Sequence, residues 1–97
     1  MAPDLQDLEL CSLKLTLTRR SRSRSAHYRD IRRGLFPRGV KTGQRAVAWP
    51  AAEIDALNRA RCAGWAEREI KDLVLWLLDR RVQSINRDVL KPAGGAK

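Results

Sequence analysis

Residues 19–49 read RRSRSRSAHYRDIRRGLFPRGVKTGQRAVAW, and the interpretation of this stretch decides the fold. An arginine-rich segment with helical periodicity stops at Gly34 and runs directly into a segment patterned like a β-hairpin. Ser23 is a suitable N-cap for the helix, Gly34 suits the left-handed position just past its end, and Pro37 prevents any continuation. On a wheel of about 100° per residue, Arg22, Arg29 and Arg33 fall within about 40° of one another. Ile31 lies opposite, with His27 and Tyr28 beside it, so one face is cationic and the other can be buried. His27 is expected as a packing residue rather than a ligand, and Arg24, on the inner side by this count, is expected to snorkel outward.

Beyond the helix, VKTGQRAVAWP sets β-branched and aromatic residues on either side of Thr42-Gly43-Gln44, a turn with glycine where a positive φ is favoured. Val40–Lys41 and Arg45–Trp49 are the expected arms, with Val47 and Trp49 facing the core and Lys41, Gln44 and Arg45 near the tip. Pro50 reads as the first residue of the next helix, with Glu53 favoured by the macrodipole in its first turn. Ile54, Leu57 and the stem of Arg61 make its inner stripe, and Gly64 stops it. A last helix over 66–82 carries Ile70, Leu73, Val74, Leu77 and Leu78 on one face, enough to close a small core. Leu75 and Trp76 lie on the other side among Arg68, Glu69, Asp72 and Asp79. Either they form a dimer interface or the N-terminal leucines cover them.

Upstream of residue 19 the pattern is ambiguous. SLKLTLTRRS alternates leucine at period two with β-branched threonines, which favours a strand, whereas Ser12 can cap a short helix over Leu13–Arg20. The requirement for a helix bracing the arginine-rich one favours the second reading. The resulting fold class is mainly α: a small winged helix-turn-helix with a short β-hairpin wing and an added C-terminal helix. The expected organisation is a tail over 1–11, a winged helix-turn-helix over 12–64, a packing or dimerisation helix over 65–85, and a tail over 86–97.

Charge points to the partner. The chain carries 20 Lys and Arg against 11 Asp and Glu, for a net +9 in 97 residues. Residues 19–45 hold ten basic side chains against Asp30 alone, so their net charge equals that of the whole chain. Such concentration marks an anion-binding surface, with double-stranded DNA as the expected partner. RRSRSRS taken alone resembles an arginine-serine repeat of RNA-associated proteins, but it spans only seven residues.

Other classes lose support. The longest apolar run, LVLWLL at 73–78, is far below the roughly 20 residues needed to cross a bilayer. One histidine, two distant cysteines and no clustered carboxylates leave no metal site, catalytic triad or phosphate loop, so neither cofactor nor enzymatic activity is expected. Cys11 and Cys62 suggest reduced thiols in a cytoplasmic protein, which the expected DNA partner would place at the nucleoid.

The stretch YRDIRRGLFPRGVKTGQRAVAWPAAEIDALNRARCAG, 37 residues from Tyr28 to Gly64, resembles the AlpA-type phage regulatory proteins, small relatives of the winged-helix excisionases. The matching pieces are the tyrosine-containing helix YRDIRRG, the turn LFP, the hairpin VKTGQRAVAW and the helix EIDALNRARCAG, and EIKDLV beyond Gly64 is similar to longer members. His27 stands where the family prefers an apolar residue, and Trp65-Ala66 replace a polar helix start. The resemblance implies a transcriptional regulator of a prophage or integrative element, acting on integrase or excisionase functions, with integrase or RNA polymerase as protein partners. It also implies a recognition helix within 22–33 and a wing within 41–45. Arg22, Ser25 and Arg29 are the expected base-reading residues. Arg19, Arg20, Arg33, Lys41, Gln44 and Arg45 are expected on phosphates or in the wing, and Leu75 and Trp76 in a homodimer interface. Three alternatives stand beside it: an excisionase-like architectural factor that bends attachment-site DNA, an RNA-binding protein, and a module that inhibits a protein partner.

Overall fold

A computed structural model describes residues 9–85. In chain order the elements are β1 (Leu10–Ser12), α1 (Leu13–Arg20), α2 (Arg24–Arg32), β2 (Val40–Lys41), β3 (Val47–Pro50), α3 (Ala51–Cys62) and α4 (Glu67–Ile85). Four helices and one small antiparallel sheet of order β1-β3-β2, with α1 and α3 packed against it, make up the architecture of a small winged helix-turn-helix. Among the described residues no helix is long and apolar enough to cross a membrane.

The ambiguous LKLTLTRR segment is helical. Ser12 caps it, its hydroxyl accepting from the Leu15 amide at 3.2 Å. Helical spacing turns Thr16 and Arg20 fully inward, with Leu13 and Leu17 half-buried beside them, and leaves Leu15 42% exposed. A strand would have placed the three leucines on one face; cap and tertiary packing override the local alternation. The Thr16 hydroxyl donates to the Cys11 carbonyl at 3.4 Å, tying the helix to the strand before it.

Between α1 and α2 the chain reverses at Ser21, which holds a left-handed conformation (φ 56, ψ 48) more usual for glycine. The Ser21 and Arg22 amides bond back to the Thr18 and Leu17 carbonyls. Ser23 then caps α2 by accepting from the Ala26 amide at 3.2 Å. At the other end Gly34 adopts φ 79 and the Leu35 amide reaches the Asp30 carbonyl at 2.8 Å, so the expected glycine stop is in place.

Four details of the sequence reading need correction. Leu10 and Cys11, in the stretch read as a tail, pair with Pro50 and Trp49 as β1, and Cys11 is buried. So short a segment carries no periodic signal; it is a strand because the free edge of β3 offers it partners. The second hairpin arm begins at Val47 rather than Arg45, because Thr42 donates to the Ala46 carbonyl at 3.0 Å and closes a five-residue loop over 42–46. Pro50 is the N-cap of α3 with extended backbone rather than its first helical residue. Arg61 is exposed, and Ala60 takes the inner position assigned to its stem. Residues 1–8 and 86–97, read as tails, lie outside the described residues.

The core joins Trp49 and Cys11 of the sheet, Leu35 and Phe36 after α2, Ile54, Leu57 and Ala60 of α3, and Ile70, Val74 and Leu77 of α4. The Trp49 indole donates to the Pro37 carbonyl at 2.8 Å, which satisfies its polar edge while the ring is buried. Gly39 passes so close to β3 that a Cβ there would overlap Val47 Cγ2 and come within 3.0 Å of Trp49 Cζ2. At the start of α3, Glu53 is buried and holds Arg81 of α4 through two bonds of 2.6 and 2.8 Å. This bidentate pair fixes the first turn of α3 against the far half of α4.

Candidate nucleic-acid interface

The inward side of α2 is polar as well as apolar. Asp30, almost fully buried, accepts from Arg20 at 2.8 Å and from Arg22 at 3.0 and 2.9 Å. Arg20 also lies 3.8 Å above the Phe36 ring and 2.8 Å from His27 Nδ1. Because a guanidinium only donates, His27 Nδ1 must accept, which puts the imidazole proton on Nε2. That nitrogen is buried and has no hydrogen-bond partner among the described residues. The imidazole ring packs edge-on to Trp49 and beside Phe36.

Electrostatics follow from this enclosure. Burial, reinforced by the neighbouring Arg20 charge, pushes the His27 pKa down to about 4, so the ring is neutral at ordinary pH. Burial also lowers Arg20, to about 10, against the attraction of Asp30. For Asp30 burial pulls upward, but the hydrogen bonds and charges of Arg22 and Arg20 outweigh it and hold the carboxyl below its ordinary range. The result is one anion serving two arginines, which locks α1, the turn and α2 together.

The outward side of α2 presents Ser25, Arg29 and Arg32, three exposed side chains at helical spacing, with Arg24 exposed in the first turn. Arg19 is exposed at the end of α1, and Lys41, Gln44 and Arg45 are exposed on the hairpin. Arg33 caps α2 and meets Glu67 at 3.3 Å with both side chains more than half exposed, a pair of little energetic weight.

Two expected site residues are displaced from their roles. Arg20 is 8% exposed and bonded to Asp30 and His27, so it cannot reach a phosphate. Arg22 lies in the turn before α2, where helical-wheel geometry does not apply, and its guanidinium is engaged in both directions by Asp30 rather than free for a base edge. Arg32, outside the expected set, is exposed on the same side of α2 as Ser25 and Arg29; a wheel that includes Arg22 misplaces the centre of the outward face. The spacing of Ser25, Arg29 and Arg32 was the available signal. Leu75 and Trp76 are 66% and 54% exposed, with Val82 also exposed further along α4 and Arg80 stacked 4.8 Å from the Trp76 ring centre.

The geometry is therefore a helix-turn-helix braced by a buried ion cluster, with a cationic outer helix face and a basic hairpin. The family described as Prophage CP4-57 regulatory protein (AlpA) matches residues 14–62, just over half of the chain. The chain belongs to the AlpA family of prophage regulatory proteins. The AlpA match starts within α1, the segment of least legible pattern, and runs through α2 and the hairpin to the end of α3. It leaves α4, with Leu75 and Trp76, outside. No curated protein and no solved structure matches the chain.

Proposed function

We propose that this AlpA-family chain is a sequence-specific double-stranded DNA-binding transcriptional regulator of a prophage or integrative element. The observation that carries the reading is the division of α2: His27 and Asp30 hold its inner side rigid, while Ser25, Arg29 and Arg32 stand outward without a carboxylate partner among the described residues. A recognition helix needs both properties.

In this reading α2 lies in the major groove, with Ser25 and Arg29, joined by Arg32, facing base edges; an arginine bidentate to guanine supplies about 1–3 kcal/mol of discrimination. Arg22 contributes by fixing the turn through Asp30 instead of reading a base. Arg19, Lys41 and Arg45 meet phosphates directly, with Gln44 beside them on the hairpin, and Arg33 exchanges its exposed Glu67 contact for one. Dimerisation through Leu75 and Trp76 lets two such modules read adjacent half-sites, since one small domain reads only a few base pairs. An integrase or RNA polymerase is the protein partner of the regulatory event, which takes place in the cytoplasm at the nucleoid.

With Arg20 withdrawn from the phosphate set, four cations remain, Arg19, Arg33, Lys41 and Arg45, with Arg29 and Arg32 in the groove close enough to add a fifth. Log affinity against log salt should fall with a slope of about −4 to −5 on the best duplex. A slope shallower than about −2 overturns the reading. Footprinting upstream of the chain's own gene and of a neighbouring integrase gene gives the regulatory half of the test: a discrete protected site at a promoter supports it, and an array of sites beside an attachment sequence replaces it with an architectural role.

A further inference from the structure

Two exposed arginines stand outside both α2 and the hairpin yet close to the turn that joins α1 to α2. Arg19 occupies the last turn of α1 and Arg61 the last turn of α3, and neither has a carboxylate partner among the described residues. Their helix ends are joined: the Asn58 side-chain amide donates to the Arg19 carbonyl at 3.1 Å. Asn58 and Arg61 are three residues apart in α3 and so lie on one face of it. The Arg61 charge is also felt by buried Arg20, where it adds to the dominant effect of burial in lowering that guanidinium, so it lies near the α1 terminus.

The other two arginines at this junction, Arg20 and Arg22, are both engaged by Asp30, whose single charge leaves the cluster with a net positive charge of its own. Arg19 and Arg61 are left as exposed cations on two helix ends that the Asn58 bond ties together. We propose that Arg19 and Arg61 form a phosphate-binding site at the junction of α1 and α3, taking a backbone phosphodiester of the duplex that α2 reads. The inference rests on the DNA-binding reading and adds α3 to the contact surface. Guanidinium groups suit this ligand because they bond phosphate oxygens in a bidentate fork. In a helix-turn-helix the first helix crosses the DNA backbone, which brings the α1 terminus and whatever is tied to it to that strand. Such a contact positions the protein and carries no sequence information.

The test uses the full chain and fluorescence anisotropy on two labelled duplexes, the footprinted site and a scrambled one, across a salt series. Arg61→Gln should make the salt slope shallower by about 0.9 and weaken binding to both duplexes by the same factor. Arg61→Lys should restore the slope. Arg68→Gln, the same charge change on an exposed residue in the first turn of α4, should leave the slope at the wild-type value. Ethylation interference should identify a phosphate whose modification harms wild-type binding but not binding by Arg61→Gln. An unchanged slope in Arg61→Gln, or equal losses in Arg61→Gln and Arg68→Gln, overturns the site while leaving DNA binding intact. Failure of the wild-type chain to prefer duplex DNA over single-stranded RNA at equal salt overturns the DNA reading itself, and is read without any variant. Arg61 is exposed, so an unchanged circular-dichroism melt should accompany each substitution at that position.

Discussion

At the scale of single residues, the buried group that most affects behaviour in solution is His27. The unfolded chain binds a proton there near pH 6.5, whereas the folded chain does so only near 4. Between these values the unfolded state holds more protons, so stability is complete above the upper value and is lost as pH falls towards the lower one. At pH 5 the loss amounts to about 2 kcal/mol. Urea unfolding at pH 7 and pH 5 should show that drop, and His27→Gln, which keeps an acceptor for Arg20 but cannot take up a proton, should flatten it. Asp30 adds its own loss only at more acid pH, since its folded pKa lies below the unfolded one. The packing role of His27 was legible from its place on the wheel. The fate of each arginine was not: Arg20, Arg22 and Arg33 look alike in sequence, and they are sorted by Asp30, eight and ten residues away, and by Glu67, thirty-four residues away.

At the scale of elements, the hairpin depends on a close approach that sequence patterns do not register. Gly39 has an ordinary φ and is required because β3 leaves no room for a methyl group. Gly39→Ala should destabilise by about 1–3 kcal/mol, the usual cost of overpacking. Gly43→Ala, whose new Cβ would meet Ala46 at an ordinary 3.7 Å, should cost little. Thermal melts of the two variants side by side check the difference. The helix α2 could be read from sequence because its cap, stop and apolar face lie within or beside its own residues, and α4 because its apolar face repeats at helical spacing from Ile70 to Leu78. In α1 the Ser12 cap was visible, but the leucine-threonine alternation argued against it, and only packing decided the outcome. No comparable signal marked β1, since its pairing partners Ala48, Trp49 and Pro50 are nearly forty residues away.

At the scale of the whole molecule, the exposed cationic and exposed apolar surfaces lie on different elements. Ser25, Arg29, Arg32 and the hairpin cations belong to the family-matched residues 14–62, while exposed Leu75, Trp76 and Val82 belong to α4 beyond them. If α4 pairs two copies, replacing Leu75 and Trp76 together by glutamine should leave the fold unchanged, halve the mass in solution and weaken binding to a two-site operator. Sedimentation equilibrium and anisotropy on one-site and two-site duplexes measure each part. Unchanged mass and unchanged operator affinity would remove α4 from the assembly and leave each module to act alone.

The sheet order also constrains events during synthesis. Among the described residues β1 is the first strand made, yet it pairs with β3, the last of them. At about 5–20 residues per second, several seconds separate the emergence of Ser12 from that of Pro50. Throughout that interval LKLTLT, with its alternating leucine and threonine, follows a strand whose partner Trp49 has not yet been made. The same six residues that form the body of α1 are thus, on the ribosome, a β-patterned segment open to pairing with a neighbouring strand.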